Sequence, residues 1–246
     1  MNGVVSGVAD AQLLAFARVA GFAFRAPGFS HPAVPPPVRA AFAFTAAAAF
    51  ARASTTNVRL APGALPYAVA GEAAVGAAIG LAASLLYDGA FAGGRTLDDY
   101  VGIRGSVPNA HVDAGAGFGR LWSLAFAAAF FVLGGYRPAL SGLAQSFASL
   151  PLGTFVSPDG LRAFAIALPT TIVRAALFVA GPAIAIAFAT QLSLATVARV
   201  VPRFSTFALA FPVVFACAIL ATIAALPLVL PSAASPWMDL APLVAR

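Results

Sequence analysis

Charge is what this chain of 246 residues has least of, because only 9% of its residues are charged and 61% are hydrophobic. A typical soluble domain carries roughly 25% charged residues. A chain with so little charge cannot cover itself with a water-facing surface. Together with a mean hydropathy of +0.93, the shortage of charge indicates an integral membrane protein.

Lysine is absent, and cysteine and histidine are nearly so. All 14 basic residues are arginine, Cys217 is the one cysteine, and His31 and His111 are the two histidines. A phosphate-binding P-loop needs a lysine, and two distant histidines with one cysteine form no recognisable metal constellation. The arginines are scattered singly, whereas nucleic-acid binding requires a basic face. We therefore predict no catalytic site, no cofactor, no bound metal and no nucleic-acid partner.

Apolar stretches are frequent and vary in length, while a membrane-spanning helix needs about 20 residues. Val38–Ala53 and Leu121–Gly135 are short for a span, and Leu161–Ala198 is long enough for a hairpin or a broken helix. The stretches are Val4–Phe24, Val38–Ala53, Leu65–Phe91, Leu121–Gly135, Leu161–Ala198 and Phe204–Leu230. Alanine runs favour helices over strands. The predicted fold is an all-α integral membrane protein with one domain over residues 1–246.

Prolines and polar segments interrupt the apolar stretches. Since proline kinks or ends helices, we predict a kinked helical hairpin over Leu161–Leu230 that turns at Pro202. The polar interruptions are Arg25–Pro37, Ser54–Gly63, Gly93–Gly119 and Tyr136–Asp159. In the last one, apolar residues recur every three or four positions, at Leu140, Leu143, Phe147 and Leu150. That spacing predicts an amphipathic helix suited to a membrane surface or to a groove in a partner.

Arg18, Glu72 and Arg174 are charged residues inside apolar stretches. Charges within a membrane are costly and usually face protein or water. One interpretation is a substrate or proton path, and the other is an ion pair or a subunit contact. We favour the second, because a single glutamate makes a poor proton relay.

Gly76 with Gly80, and Gly89 with Gly93, are glycine pairs at four-residue spacing. In an apolar helix such a pair allows a second backbone to approach closely. The alternative is coincidence in a chain that contains 22 glycines.

Several short motifs, taken in chain order, resemble the FliR/SpaR/YscT/HrcT family of type III export-apparatus proteins. The resemblance covers nearly the whole chain. The residues that carry it are Arg18–Gly21, Ala26–Phe29, Val34-Pro35, Arg39, Gly71-Glu72, Gly76, Gly80, Asp98, Asp99, Arg104-Gly105, Leu133–Tyr136, Ala144–Phe147, Leu150–Gly153, Gly181-Pro182, Arg199, Pro202 and Phe207. The Asp99…Arg104-Gly105 region and the double glycine favour the virulence branch over the flagellar one.

The resemblance implies a place in the bacterial inner membrane as a multi-pass subunit. Its helical hairpins are expected to close a helical ring with FliP-like and FliQ-like partners, beside an FlhB-like switch protein. That ring is expected to pass unfolded proteins, including needle or rod subunits, and to contact membrane lipid. The residues expected to serve subunit packing or ion pairs are Arg18, Glu72, Gly76, Gly80, Arg174 and Arg199.

The segment Gly105–Gly119 is the candidate gate or plug of that channel. Its glycine content allows the backbone to change conformation at low steric cost, and the family has a plug in the matching region. The candidate gate residues are Gly105, Val107, Pro108, Asn109, His111, Asp113, Gly115 and Gly117. The alternative for the segment is an ordinary flexible connector. The alternative for the chain is a small multipass transporter with its own substrate site, although we find no convincing inverted repeat.

Overall fold

The computed structural model describes residues 2–30, 34–53, 60, 63–102, 117–154, 158–200 and 206–234. These residues form seven α-helices and one short 3-10 helix, and the described ranges contain no strand. The helices are α1 (Asn2–Arg25), α2 (Pro36–Ala53), α3 (Leu65–Val101), α4 (Phe118–Val132), α5 (Tyr136–Ser149), α6 (Pro158–Val200) and α7 (Thr206–Val229), followed by the 3-10 helix Leu230–Ala234. The prediction of an all-α membrane protein is confirmed.

Three of the described helices are long and apolar enough to cross a membrane, over Leu65–Val101, Arg162–Val200 and Phe211–Ala233. The number rises to four if α4 and α5 together count as one broken span. In the most apolar window of α3, 56% of residues are buried within the chain, against 28% in α6. The chain itself therefore covers α3 well and leaves much of α6 open.

Two helices, α3 and α6, differ from the sequence prediction. α3 does not end near Phe91 but continues to Val101, into the predicted interruption Gly93–Gly119. The reason is packing, because Gly93 lies against Ala176 and Ala180 and these contacts outweigh the low helix propensity of glycine.

The second difference is in α6, which is a single helix from Pro158 to Val200. The expected hairpin or break within Leu161–Ala198 is therefore wrong. Pro169 and Pro182 each remove one backbone donor, and a helix of 43 residues keeps its other bonds. Pro202, the predicted turn, lies outside the described residues.

The described chain divides into two compact units. Unit 1 contains the described residues of Met1–Leu85 and Gly134–Thr170, and unit 2 contains Leu86–Leu133 and Thr171–Ala234. The single domain over 1–246 stays a prediction.

Unit 1 has a core built from α1, α2, the first part of α3, and α5. Its fully buried side chains include Leu14, Val19, Phe22 and Leu143. The apolar face of α5 is part of this core, with Leu143, Phe147 and Leu150 buried and Leu140 packed against them. The amphipathic helix is thus present, but its expected role on a membrane surface or in a partner groove is wrong. The core of its own unit takes up the apolar face.

Unit 2 packs aromatic and small residues around the end of α3. Trp122 and Phe126 of α4 are buried, with ring centroids 6.1 Å apart, and Phe118 meets the edge of Phe215 of α7. Gly89 lies against the backbone of Ala175 in α6. The second glycine pair, Gly89 with Gly93, therefore allows α3 and α6 to approach closely.

Candidate functional site

Arg18 of α1 is almost fully buried, with 1% of its surface exposed, and all three of its guanidinium nitrogens donate hydrogen bonds. Nε donates to Oε2 of Glu72 at 2.6 Å, which is also an ion pair. Nη1 donates to the carbonyl of Ser146 at 2.8 Å, and Nη2 to the carbonyl of Leu150 at 3.0 Å. The guanidinium carbon lies 4.6 Å from the centre of the Phe147 ring. One buried cation thus joins three separate segments.

The position of Arg18 follows from the end of α5. The last carbonyls of a helix lack partners within the helix and carry partial negative charge, which favours a cation there. Arg18 meets this end at Ser146, while Leu150 caps the helix by donating its N–H to the same carbonyl at 2.9 Å. The guanidinium fork suits such multiple acceptors better than the point charge of a lysine would.

Glu72 of α3 completes the network from the opposite side. Its Oε1 accepts the backbone N–H of Gly153 at 2.9 Å, so both carboxylate oxygens are occupied. Gly153 has φ +81°, a conformation that favours glycine, and it lies in a turn closed by Thr154 N–H to the Pro151 carbonyl. We call the set Arg18, Glu72, Ser146, Phe147, Leu150 and Gly153 the Arg18 cluster.

Close packing of α1 on α3 brings Arg18 and Glu72 together. A Cβ added at Gly76 would overlap the carbonyl of Arg18, and one added at Gly80 would overlap the carbonyl of Phe22. Gly21 of α1 meets Ala73 of α3 in the same way. The backbone approach allowed by Gly76 and Gly80 therefore occurs inside this chain.

Asp98, at the end of α3, holds the beginning of α4. Its Oδ1 accepts the N–H of Phe118 at 2.7 Å, and its Oδ2 accepts the N–H of Gly119 at 3.3 Å. The helix needs this carboxylate because Gly117 occupies its N-cap position and has no side chain to offer. Asp98 is buried, and negative charge is favourable at a helix N-terminus. We call this arrangement the Asp98 clamp.

The Asp98 clamp is reinforced by close contact between helix backbones. A Cβ at Gly94 would overlap the backbone of Gly119, and a Cβ at Gly117 would overlap the Asp98 carboxylate. α3 ends at Val101, and Gly102 follows with φ +86° and donates its N–H to the Asp98 carbonyl. Asp98 is therefore hydrogen-bonded to Gly102, before the segment 103–116, and to Phe118, after it.

The predicted gate residues fall mostly outside the described residues. These are Gly105, Val107, Pro108, Asn109, His111, Asp113 and Gly115. Gly117 is described, and it lies in the Asp98 clamp. The structure thus describes where this segment begins and ends.

The remaining predicted site residues are on the part of α6 that belongs to unit 2. Arg174 and Arg199 are both exposed. Neither makes a hydrogen bond or ion pair with the described residues.

Sequence reasoning did not assign a role to the backbone groups that bond Arg18 and Glu72. Ser146, Leu150 and Gly153 contribute backbone groups, which leave no side-chain signature in a sequence. The spacing of Phe147 and Leu150 did indicate an apolar helix face, and that was the available signal.

The charged groups of the Arg18 cluster and the Asp98 clamp hold segments of the chain together. The Arg18 and Glu72 charges are satisfied by each other and by backbone groups, and the Asp98 carboxylate is used on α4. Among the described residues, no group of three His, Cys, Asp or Glu side chains could hold a metal ion.

Residues 10–239 match the family model described as bacterial export proteins, family 1. The matched range includes every residue of the Arg18 cluster and of the Asp98 clamp. No curated protein matches the chain.

Proposed function

The chain belongs to the bacterial export proteins of family 1, and on that premise we propose that it is an inner-membrane subunit of a type III secretion export gate. In this proposal the chain lines and closes the channel through which unfolded proteins leave the cell. The observation that carries the proposal is the family match over residues 10–239, because it spans both compact units.

Two coarser statements stand without the proposal. The family indicates a role in a protein-export apparatus, and the three to four apolar helices make the chain a membrane protein. The proposal adds the virulence branch, the inner membrane and the ring with FliP-like, FliQ-like and FlhB-like proteins. The large exposed apolar area of α6 supports a chain that works inside an assembly.

The proposed gate is the segment Gly105–Gly119, and the Asp98 clamp holds its last residues, Gly117 to Gly119. The buried carboxylate of Asp98 bonds the first turn of α4, and its own carbonyl bonds Gly102 at the end of α3. The Arg18 cluster would act elsewhere, by fixing the packing of unit 1.

Deleting residues 107–115 tests the gate. The deletion stops before Gly117 because that residue contacts Asp98. A matched control replaces the same nine positions with glycine and serine, which keeps the length of the connection. Both variants are expressed with the full operon, and the purified complexes are measured for ion conductance in planar bilayers.

An occluding segment predicts a conducting complex after deletion and a closed wild-type complex. Conductance of the glycine and serine variant reports whether specific side chains are needed for closure. A deletion complex that assembles and remains as closed as wild type would contradict the gate and would leave the segment as a connector.

A further inference from the structure

One face of α6 is exposed along the whole part of the helix that lies in unit 2. The opposite face is buried in unit 2 through small residues, among them Ala175, Ala183 and Ala187. Side chains three and four positions apart share a helix face. The face defined in this way consists of the exposed residues Arg174, Leu177, Ala185, Phe188 and Leu192 and the half-buried Gly181, and we call it the Arg174 face.

The large side chains of the Arg174 face are open to the surroundings. Leu177 is 62% exposed, Phe188 58% and Leu192 60%. Gly181 and Ala185 lie between them and form a shallow notch. A Cβ added at Gly181 would meet nothing within 4 Å, whereas one added at any of seven other helical glycines would overlap neighbouring atoms. The packing of this chain therefore gives no reason for a small residue at Gly181.

Arg174 places a full charge at one end of this apolar face. It is exposed and makes no hydrogen bond or ion pair with the described residues. Residues 163–173 and 175–198 contain no charged residue, so Arg174 interrupts a long uncharged stretch.

This stretch has a free-energy cost in lipid alone, whichever part of it crosses the membrane. About 20 residues are enough to cross the hydrocarbon layer. If the layer is centred on Arg174, the charge lies in hydrocarbon without a counter-ion. If the layer covers 175–198 instead, the exposed Ile166 and Val173 project into water. A protein partner at Arg174 would lower the cost of either placement.

We propose that the Arg174 face binds a membrane helix from a different subunit, one that carries an aspartate or glutamate within its apolar stretch. The carboxylate would pair with Arg174, since a cation among apolar side chains requires an opposite charge. The partner backbone would approach at Gly181 and Ala185, where two small residues four positions apart allow close contact. This inference rests on the proposed function, because it assigns the partner to the same membrane assembly.

Site-specific photo-crosslinking tests the proposed contact in native membranes that contain the full operon. A photoreactive residue is placed at Leu177 in one variant and at Phe188 in another. Each is combined with Arg174→Glu, with Arg174→Lys, or with the control Arg162→Glu, which reverses another exposed charge of α6. Crosslinked products are identified by mass spectrometry.

The proposal predicts a crosslink from both positions to a membrane protein with an acidic residue in an apolar segment. Arg174→Glu should lower its yield by about tenfold or more, because like charges would face each other. Arg174→Lys and Arg162→Glu should preserve it. Adducts to lipid alone, adducts to a second copy of this chain, or a yield insensitive to Arg174→Glu would overturn the proposal.

The outcome separates this inference from the proposed function. A crosslinked acidic partner in cells that export no protein would support the Arg174 face and contradict the export gate. Normal export with lipid adducts alone would support the export gate and contradict the proposed role of the Arg174 face.

Discussion

Arg18 and Arg174 are the same residue type inside apolar helices, yet they lie in contrasting surroundings. Arg18 is buried in unit 1 and donates from all three nitrogens to Glu72, Ser146 and Leu150. Arg174 is exposed in unit 2 and makes no bond with the described residues. The first charge is bonded within the folded chain, and the second is the one that we propose for assembly. The contrast shows that a charge within a membrane helix does not by itself distinguish these two roles.

The largest expected effect comes from removing the partner of the buried cation. Glu72→Ala would leave the Arg18 guanidinium buried without its carboxylate and would also free the Gly153 N–H. Breaking one side of a buried ion pair costs about 3–5 kcal/mol. We expect a large loss of thermal stability and of folded yield in mild detergent, and a smaller loss for Glu72→Gln.

Arg174→Ala is the matched control for that experiment, and we expect it to leave the stability of the purified chain unchanged. Equal losses in the two variants would remove the distinction between a folding arginine and an assembly arginine. Wild-type stability of Glu72→Ala would contradict the role of the Arg18 cluster in folding.

Two glycine substitutions sharpen the comparison, because their effects should have opposite signs. Gly76→Ala places a methyl group against the Arg18 carbonyl and forces α1 away from α3. Such overpacking costs about 1–3 kcal/mol. Gly181→Ala meets open space and should stabilise the isolated chain by up to about 1 kcal/mol, because alanine is the better helix former. Thermal unfolding of both variants in detergent measures these two stability changes. A change of the same sign in both variants would contradict the comparison.

The smallest destabilisation among these variants is expected at the Asp98 clamp. Asp98→Ala removes the acceptor for the first N–H groups of α4. Loss of a helix cap costs about 0.5–2 kcal/mol. Hydrogen exchange should accelerate at Phe118 and Gly119, and Asp99→Ala, at an exposed neighbour, should leave it unchanged. Unaltered exchange in Asp98→Ala would show that the clamp does not hold α4.

Much of the fold could be predicted because hydropathy and alanine content report directly on membrane helices. The length of α3 could not, since Gly93 and Gly94 are helical through contacts with Ala176 and Gly119, which are distant in the sequence. The role of α5 was also missed, because an apolar helix face does not reveal whether lipid, a partner or the same chain covers it.

The contacts between side chains of the candidate site could be predicted from the sequence, whereas the contacts with backbone groups could not. Arg18 and Glu72 were recognisable as charges that need partners. The acceptors at Ser146 and Leu150 are carbonyls, which every residue has. The Asp98 clamp escaped for a related reason, since the cap comes from 20 residues before Phe118 and not from Gly117.

The central claim is that this chain is one subunit of an export gate made of several different membrane proteins. Mild-detergent purification of the tagged chain, expressed from its own operon, with mass spectrometry of the proteins that co-elute, tests it most directly. The account predicts stoichiometric recovery of several other small hydrophobic proteins, with this chain the minority species. Recovery of the chain alone, as a monomer or homo-oligomer, would contradict the account and favour a transporter with its own substrate site.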